Sequence, residues 1–400
     1  MITQDRDLHT GDPVWTAYTK PRIAHKALNK SLSTDIAIIG GGISGAMIAE
    51  GLSGHGMDIA ILDKRKPLSG STSASTALLQ YEIDEPLSKL SEKIGYAKAA
   101  SAWRRSRLGV ESLAAKIQDL TIDCAFERKD SLYIAGNVLN SQQLKQEMEI
   151  RAAIGLPSKY LTLKMIADDY GMKADAALLN RGNIACNPVQ LAAGFLKAAI
   201  EKGATLYTLV EITDVAENKN GIVLKTSDGL TVKTKYLIYA SGYEIPAVTE
   251  TRKHKIFSTW AIASAPVKGL SLPLFWQAAD PYFYGRTTQD GRMIFGGEDE
   301  EFSDAEKRDA LNAEKQKALM RKLGKLLPAH KFEITHGWSG SFGASTTGLP
   351  SIGKIPRHKN CYAVMAYGGN GITFSRIAAE IIAADILGHK DPDAELFAFK

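Results

Sequence analysis

Three glycines and one carboxylate form the most informative pattern in the chain. Gly40, Gly42 and Gly45 fit the spacing G-x-G-x-x-G, and Asp63 follows 18 residues after the last of them. Such glycines allow a tight turn and let a pyrophosphate approach backbone N–H groups at a helix N-terminus. An acid at the end of the next strand accepts hydrogen bonds from an adenosine ribose. The spacing predicts a dinucleotide site, without deciding between NAD and FAD.

The segments around this pattern have the order of a βαβ unit. Residues 35–39 form an apolar run that predicts a buried strand, residues 43–55 predict a helix, and residues 59–62 predict a second strand. Gly56 stands where a helix C-cap is expected. In this context the glycine pattern is a specific signal, because it follows a strand and opens a helix.

Two further helices are predicted outside the βαβ unit. Residues 98–120 predict a long amphipathic helix, and Ser303, with Glu306 three residues later, predicts the start of an exposed one. We expect the arginines of the long helix on a solvated face rather than at a ligand. These are Arg104, Arg105 and Arg107.

A run of small and hydroxyl-bearing residues, 70–77, follows the second strand. Such a run can wrap a pyrophosphate and leave room for a flat ring. By itself it is equally consistent with an ordinary serine- and threonine-rich loop. Its position soon after the βαβ unit favours the first interpretation.

Composition argues against several classes of protein. A net charge of +5 in 400 residues gives no case for a nucleic-acid partner. Cys124, Cys186 and Cys361 are far apart and lack metal-ligand spacing, so we expect reduced thiols and no metal. No apolar run approaches the roughly 20 residues of a membrane span, and the N-terminus lacks a signal-peptide core. We expect a cytoplasmic protein without a transmembrane segment.

With these motifs in order, the chain resembles the D-amino-acid oxidase-like FAD oxidoreductases, which include glycine oxidase, sarcosine oxidase and γ-glutamylputrescine oxidase. The resemblance covers about residues 34–388. Besides the motifs above, it is carried by the segments Val210-Glu211-Ile212, Ala240-Ser241-Gly242, Thr347 to Gly353, and Gly369-Asn370-Gly371-Ile372. Four ordered matches are far more specific than any single one.

The resemblance implies a non-covalently bound FAD, since the small-residue run has no histidine and the C-terminal motif has no cysteine. A helix N-terminus at Gly371 is expected to direct N–H groups toward the flavin pyrimidine edge, where the reduced flavin is negative. Cofactor contacts are expected from Gly40, Gly42, Ile43, Ser44, Gly45, Asp63, Lys64, Ser71, Thr72, Ser75, Thr76, Ala77, Ile212, Ala240, Ser241, Gly242, Gly348, Gly369, Asn370, Gly371, Ile372 and Thr373.

The family fold implies an α/β protein with a discontinuous Rossmann-like FAD-binding domain and an α+β substrate domain built on a mixed sheet. The predicted boundaries are an N-terminal arm at 1–33, the FAD-binding domain at 34–90, 180–250 and 335–400, and the substrate (cap) domain at 91–179 and 251–334.

The arginines with which amino-acid oxidases of this family grip a substrate carboxylate are missing. Residues 337–340 read Gly-Trp-Ser-Gly at one such position, and Gly369 stands at the other. A simple α-amino acid is therefore not the expected substrate. The candidate catalytic or substrate-binding residues are Arg286 as an anchor, His336 as a base, and Tyr284, Trp338, Trp260 and Trp276 as walls of an apolar or cation-binding pocket. Each has a plain structural alternative: an exposed arginine, a structural histidine or core aromatics.

The leading hypothesis is an FAD enzyme that oxidises a C–N bond of an amine or N-substituted amino acid. Hydride passes to flavin N5, an imine forms, and oxygen or an electron carrier reoxidises the cofactor. One alternative is a dehydrogenase of an alcohol or hydroxy acid that reduces a quinone or carrier. Another is a binding protein with a non-redox flavin or nucleotide.

Overall fold

The computed structural model describes residues 2–249, 254–365 and 367–399. The strands are β1 (His9–Gly11), β2 (Leu32–Ile39), β3 (Ile59–Asp63), β4 (Leu78–Leu79), β5 (Glu127–Ile134), β6 (Lys159–Thr162), β7 (Ala176–Ala185), β8 (Thr205–Thr208), β9 (Ile212–Asn218), β10 (Gly221–Thr226), β11 (Thr231–Tyr239), β12 (His254–Ser264), β13 (Leu274–Gln277), β14 (Phe283–Thr287), β15 (Met293–Glu300), β16 (Ile334–Ser345), β17 (Ser351–Lys354) and β18 (Cys361–Met365). The α-helices are α1 (Ile43–Leu52), α2 (Leu87–Ile94), α3 (Tyr96–Asp119), α4 (Ser141–Ala153), α5 (Leu163–Tyr170), α6 (Pro188–Glu201), α7 (Ala305–Ala310), α8 (Asn312–Leu326), α9 (Gly371–Ile386) and α10 (Ala394–Phe397).

The smaller sheet has a parallel core in the order β18-β11-β2-β3-β8, with β17 antiparallel at one edge and β10 and β9 extending from β11. The residues 36–38 of β2 are fully buried, as expected of a central parallel strand. Helix α1 packs against α6 and α9. This is the predicted Rossmann-type arrangement, and the α/β fold class is confirmed.

The larger sheet is mixed and has the order β1-β16-β12-β15-β14-β13-β5-β7-β4, with β6 paired to β7. One of its faces is covered by α5 and α8, where Leu319 and Leu323 of α8 pack with Trp260 and Phe295 of the sheet. The strands β4 and β16 pair in this sheet although their residues fall within ranges assigned to the FAD-binding part. The two sheets therefore share those segments of the chain.

Two predictions about helices, the solvated arginines of the long helix and the cap at Ser303, were partly wrong. Helix α3 forms where predicted, but Arg105 is buried and pairs with Glu380 at 2.8 Å and with Asp391 at 3.1 Å, instead of facing solvent. The cap of α7 is Asp304, whose carboxylate accepts the Lys307 N–H at 3.0 Å, rather than Ser303. In the described part of the chain, no helix has the length and apolarity needed to cross a membrane.

Candidate active site

A deep cavity lies between the carboxyl ends of the parallel strands and one face of the larger sheet. Its empty space, counted out to the open mouth, is about 2040 Å³. Strand β2 has β3 on one side and β11 on the other, so the connections leaving β2 and β11 diverge and open a crevice at their carboxyl ends. The cavity therefore begins where a doubly wound sheet binds its ligands.

Most of the predicted cofactor residues line this cavity. They are Gly40, Gly42, Ile43, Ser44, Asp63, Lys64, Ser71, Thr72, Ser75, Thr76, Ala77, Ile212, Ala240, Ser241, Gly242, Gly369, Asn370, Gly371 and Ile372. Three do not: Gly45 packs behind the turn, Gly348 lies against Glu85, and the Thr373 hydroxyl donates to the Gln80 carbonyl at 3.0 Å. The individual FAD contacts remain predictions.

The turn between β2 and α1 needs its glycines for steric reasons. Gly40 has φ +107°, a backbone conformation that side chains disfavour. A Cβ on Gly45 would collide with the Gly40 carbonyl oxygen, and one on Gly42 would lie 3.2 Å from Thr72 Oγ1. The α1 N-terminus thus presents bare backbone to the cavity, which suits a diphosphate.

Asp63 is tied to this turn. Its Oδ2 accepts the Gly41 N–H at 2.7 Å, and its Oδ1 accepts the Arg65 N–H at 2.8 Å. Burial raises the pKa of the Asp63 carboxyl despite these bonds. The acid is fixed in orientation at the cavity wall, where the sequence predicted a ribose contact.

Glu244 is a site residue that the sequence interpretation missed. Its buried carboxylate accepts hydrogen bonds from Arg65 Nη1 at 2.9 Å and Nη2 at 2.7 Å, and pairs with Lys64 Nζ at 2.9 Å. It also accepts the Arg6 N–H at 3.2 Å. One carboxylate therefore joins the end of β3, the loop after β11 and the N-terminal arm. Only its nearness to Ala240-Ser241-Gly242 in sequence hinted at a role.

Two indole N–H groups hold the small-residue run against the cavity. Trp15 Nε1 donates to the Ser75 carbonyl at 2.7 Å, and Trp338 Nε1 donates to the Ala74 carbonyl at 2.8 Å. The hydroxyl of Ser71, at the other end of the run, is buried without a hydrogen-bond partner among the described residues. A bare glycine turn, an anchored hydroxyl-rich loop and an unpartnered hydroxyl together fit a bound dinucleotide.

Of the candidate catalytic residues, Trp338 and Tyr284 line the cavity, as does Trp276, whereas His336 and Arg286 do not. Trp260 borders the cavity, but its ring packs against α8 and its Nε1 donates to the Arg308 carbonyl at 3.3 Å. His336 lies two residues from Trp338 on β16, and Arg286 two residues from Tyr284 on β14. A step of two along a strand keeps the face but moves the side chain about 6.6 Å.

At those positions both side chains contact residues outside the cavity lining. Arg286 donates to the Cys186 carbonyl at 2.7 Å and lies over the Trp15 ring, and burial lowers its pKa to about 10. His336 Nε2 lies 3.8 Å from Asp12 of the N-terminal arm. The structure thus places both side chains outside the cavity.

The segment after β4 is fastened to the start of α9 by three hydrogen bonds. Asn370 Nδ2 donates to the Glu82 carbonyl at 2.6 Å, Thr373 bonds the Gln80 carbonyl, and the Gly369 N–H donates to Asp84 Oδ2 at 2.6 Å. Asp84 lines the cavity as a result. The alternation of polar and apolar residues over 80–84 was the sequence signal that could have found it.

Three aromatic side chains on and next to β13 and β14 line the cavity and are here called the aromatic wall: Trp276, Tyr282 and Tyr284. Tyr282 stands edge-on to Trp276 at a centroid distance of 6.1 Å and lies 5.7 Å from Tyr284. Burial raises the pKa of both tyrosines, so both are neutral hydroxyls. Tyr282 and Tyr284 alternate in sequence, which was the signal that both share a face.

A possible metal group lies elsewhere. Glu217, His358 and Cys361 place one ligand atom each within 4.8 Å of one another. A hydrogen bond between His358 Nδ1 and Glu217 already accounts for the proximity of two of them. All three lie outside the cavity lining, as do Cys124 and Cys186.

The Rossmann-type sheet, the glycine turn and the long cavity define a dinucleotide-dependent oxidoreductase with a second sheet over the cofactor site. Residues 35–385 match the family DAO, FAD dependent oxidoreductase, and the chain belongs to it. The protein is an FAD-dependent oxidoreductase, as the resemblance implied.

Relatives match over nearly the whole chain. The γ-glutamylputrescine oxidoreductase of Escherichia coli (strain K12) is 24% identical over 388 residues, covering 92% of this chain and 86% of that protein. Glycine oxidase of Geobacillus kaustophilus (strain HTA426) is 24% identical over 392 residues, covering 91% and 96%. Glycine oxidase from Geobacillus kaustophilus also matches in structure, with a TM-score of 0.76 at 22% identity over 92% of this chain and 98% of the other. The L-proline dehydrogenase from P. horikoshii matches with a TM-score of 0.78 at 21% identity over 92% and 97%.

Proposed function

We propose that the enzyme oxidises the C–N bond of an amine by hydride transfer from the adjacent carbon to FAD, giving an imine that water hydrolyses. The observation that carries the proposal is the composition of the cavity beside the larger sheet. Its walls are aromatic, and its titratable groups are tyrosines and Asp84 rather than a histidine with a partner acid. Hydride loss from a neutral amine needs no dedicated base, so such a wall is sufficient.

The relatives described above favour a nitrogen substrate, although a glycerol 3-phosphate dehydrogenase and an L-α-glycerophosphate oxidase also match the chain. Their names are those of a γ-glutamylputrescine oxidoreductase, a glycine oxidase and an L-proline dehydrogenase, and each named substrate contains an amine. One of the matching structures is named an oxidase and the other a dehydrogenase, so the names do not decide the electron acceptor. Oxygen and an electron carrier therefore both remain candidate acceptors for this enzyme.

The chain's own residues have three tasks in this reaction. Bound FAD supplies the hydride acceptor. The N-terminus of α9, with Gly371 and Ile372 at the cavity, favours negative charge on a group bound there. The aromatic wall excludes water from the reacting end, and the Trp15 and Trp338 N–H groups keep the small-residue run in position.

The test is the visible spectrum of the purified protein during anaerobic addition of amines, amino acids, alcohols and hydroxy acids. We expect bound flavin whose absorption bleaches with an amine. Bleaching with alcohols or hydroxy acids alone would replace this proposal by the alcohol dehydrogenase alternative. Bound flavin that no donor reduces, although light reduces it, would show that the class of substrate is wrong. Hydrogen peroxide formed in air would identify oxygen as the acceptor.

A further inference from the structure

The cavity has a negative end that no described cation neutralises. Asp84 lines it, and its hydrogen-bond partner is the Gly369 N–H. Within residues 2–249, 254–365 and 367–399, no lysine, arginine or histidine forms an ion pair with Asp84. The cationic side chains among the described lining residues are Lys64 and Arg65, which directly follow β3. Both of them pair with Glu244.

The turn at Gly368 and Gly369 leaves Asp84 facing the cavity. A Cβ on Gly369 would lie 2.9 Å from both Asp84 Oδ1 and the Tyr282 hydroxyl oxygen. No side chain, and hence no arginine, fits at position 369 unless these groups move. The Asp84 carboxylate and the Tyr282 hydroxyl therefore occupy the space that a side chain at position 369 would need.

The surroundings of Asp84 are suited to a cation. The aromatic wall offers ring faces and neutral hydroxyl oxygens, both of which attract positive charge. A second carboxyl, Asp299 of β15, lies near enough that the Asp84 charge adds to the burial effect in raising the pKa of Asp299 to about 7. An anionic group bound here would meet the Asp84 carboxylate with no unpaired counter-charge from the described lining residues, which is unfavourable at a site shielded from water.

We propose that Asp84 binds a positively charged group of the substrate, so that the enzyme selects cationic amines that carry no carboxylate next to the reacting nitrogen. The proposal rests on the proposed C–N oxidation. Because hydride leaves the carbon beside a neutral nitrogen, the charge that Asp84 holds belongs to a second group, as in a diamine. The reaction is otherwise unchanged: the hydrogen leaves the carbon as hydride to FAD, the nitrogen lone pair forms the C=N bond, and the N–H proton passes to water to give the imine.

The test uses the FAD-loaded enzyme and three secondary amines that share one reacting end. They are N-methyl-1,4-diaminobutane, N-methylbutylamine and 4-(methylamino)butanoate, whose other ends are cationic, neutral and anionic. The half-saturating concentration for anaerobic flavin bleaching is measured for each. We expect the diamine to saturate at a concentration at least about tenfold lower than the neutral amine, as a charge-assisted hydrogen bond implies. Equal values for these two, or tightest binding of the anionic amine, would overturn the proposal.

Two variants assign the preference to Asp84. Asp84→Asn keeps an oxygen that can accept the Gly369 N–H but removes the charge, and we expect the tenfold ratio to fall to near one. Glu92→Gln is the matched control, because Glu92 is an exposed carboxylate of α2 that pairs with Lys89 at 3.5 Å and does not line the cavity. It should keep the ratio. Flavin content is compared for all three proteins. A ratio that persists in Asp84→Asn contradicts the assignment.

A binding measurement separates failure of this inference from failure of the proposed function. If none of the amines bleaches the flavin, the C–N oxidation is wrong. The flavin difference spectrum is then recorded with butyltrimethylammonium and with butanoate, neither of which has an oxidisable amine. Saturation by the cation alone, lost in Asp84→Asn, keeps the cation site. Saturation by butanoate alone, or by neither, overturns it.

Discussion

The backbone N–H of Gly369 donates a hydrogen bond to Asp84 Oδ2 at a distance of 2.6 Å. This bond joins the segment after β4 to the residues that lead into α9 and fixes a carboxylate inside the cavity. Burial outweighs the hydrogen bond and raises the Asp84 pKa to about 6. Among the described residues, the titratable groups that interact with the Asp84 charge are Glu85, Tyr133, Tyr243, Tyr282 and Asp299, and none of them is a cation.

The raised pKa predicts that Asp84→Asn stabilises the FAD-loaded protein at high pH. The folded state binds the Asp84 proton more tightly than the unfolded state, so the ionised carboxylate costs stability above pH about 6, and this cost disappears below the unfolded pKa. We expect the variant to gain about 1–3 kcal/mol in free energy of unfolding at pH 8 and much less at pH 4. Urea unfolding at both pH values measures this, and a variant less stable than the wild type at pH 8 contradicts the prediction.

Glu244→Ala is expected to weaken FAD retention and stability together. The change leaves Lys64, Arg65 and the Arg6 N–H without their shared acceptor. Because the two cationic side chains are partly exposed, we expect a loss of about 1–3 kcal/mol rather than the larger cost of a fully buried pair. Thermal release of fluorescent FAD is the measurement. Lys235→Ala is the control, since its pair with Asp35 is exposed and worth little. Equal losses in Glu244→Ala and Lys235→Ala would contradict a specific role of Glu244 in FAD retention.

Gly45→Ala is expected to abolish FAD binding. The new Cβ would collide with the Gly40 carbonyl oxygen and push α1 away from the turn. Gly324→Ala, in the exposed part of α8 with nothing within 4 Å of the new Cβ, should be neutral or stabilise the helix by up to about 1 kcal/mol. Flavin absorbance per protein chain after purification compares the two. Normal flavin content in Gly45→Ala would show that helix and turn can separate without loss of the site.

The indole N–H groups of Trp15 and Trp338 are predicted to position the small-residue run. Trp15→Phe removes the donor to the Ser75 carbonyl, and Trp338→Phe removes the donor to the Ala74 carbonyl. Each change should raise the Kd for FAD roughly 5- to 30-fold, which corresponds to the loss of about one buried hydrogen bond. Trp103→Phe is the matched control, since Trp103 is fully buried but its Nε1 has no hydrogen-bond partner among the described residues. FAD titration of the apoproteins gives the three values. An unchanged Kd in both Trp15→Phe and Trp338→Phe would be the contrary result.

The sequence by itself determined the cofactor half of the molecule. The glycine turn, Asp63 and residues 35–39 depend on local rules: a strand, a tight turn and a helix N-terminus within one short stretch, where spacing and residue type are sufficient. The family resemblance extended this to the segments at Ala240 and Gly371, which line the same cavity.

Tertiary structure decided the substrate half. Asp84 bonds to Gly369, which is 285 residues away in sequence. Glu244 bonds to Arg65, which is 179 residues away. Strand alternation places His336 with Trp338 on one face, but alternation cannot tell which of the two reaches the cavity; in the folded chain it is Trp338, whose Nε1 donates to the Ala74 carbonyl. Such contacts depend on the distance between two sheets and on which charges burial leaves unpaired. Neither quantity is written in local residue patterns, because both arise from segments that meet only when the chain has folded.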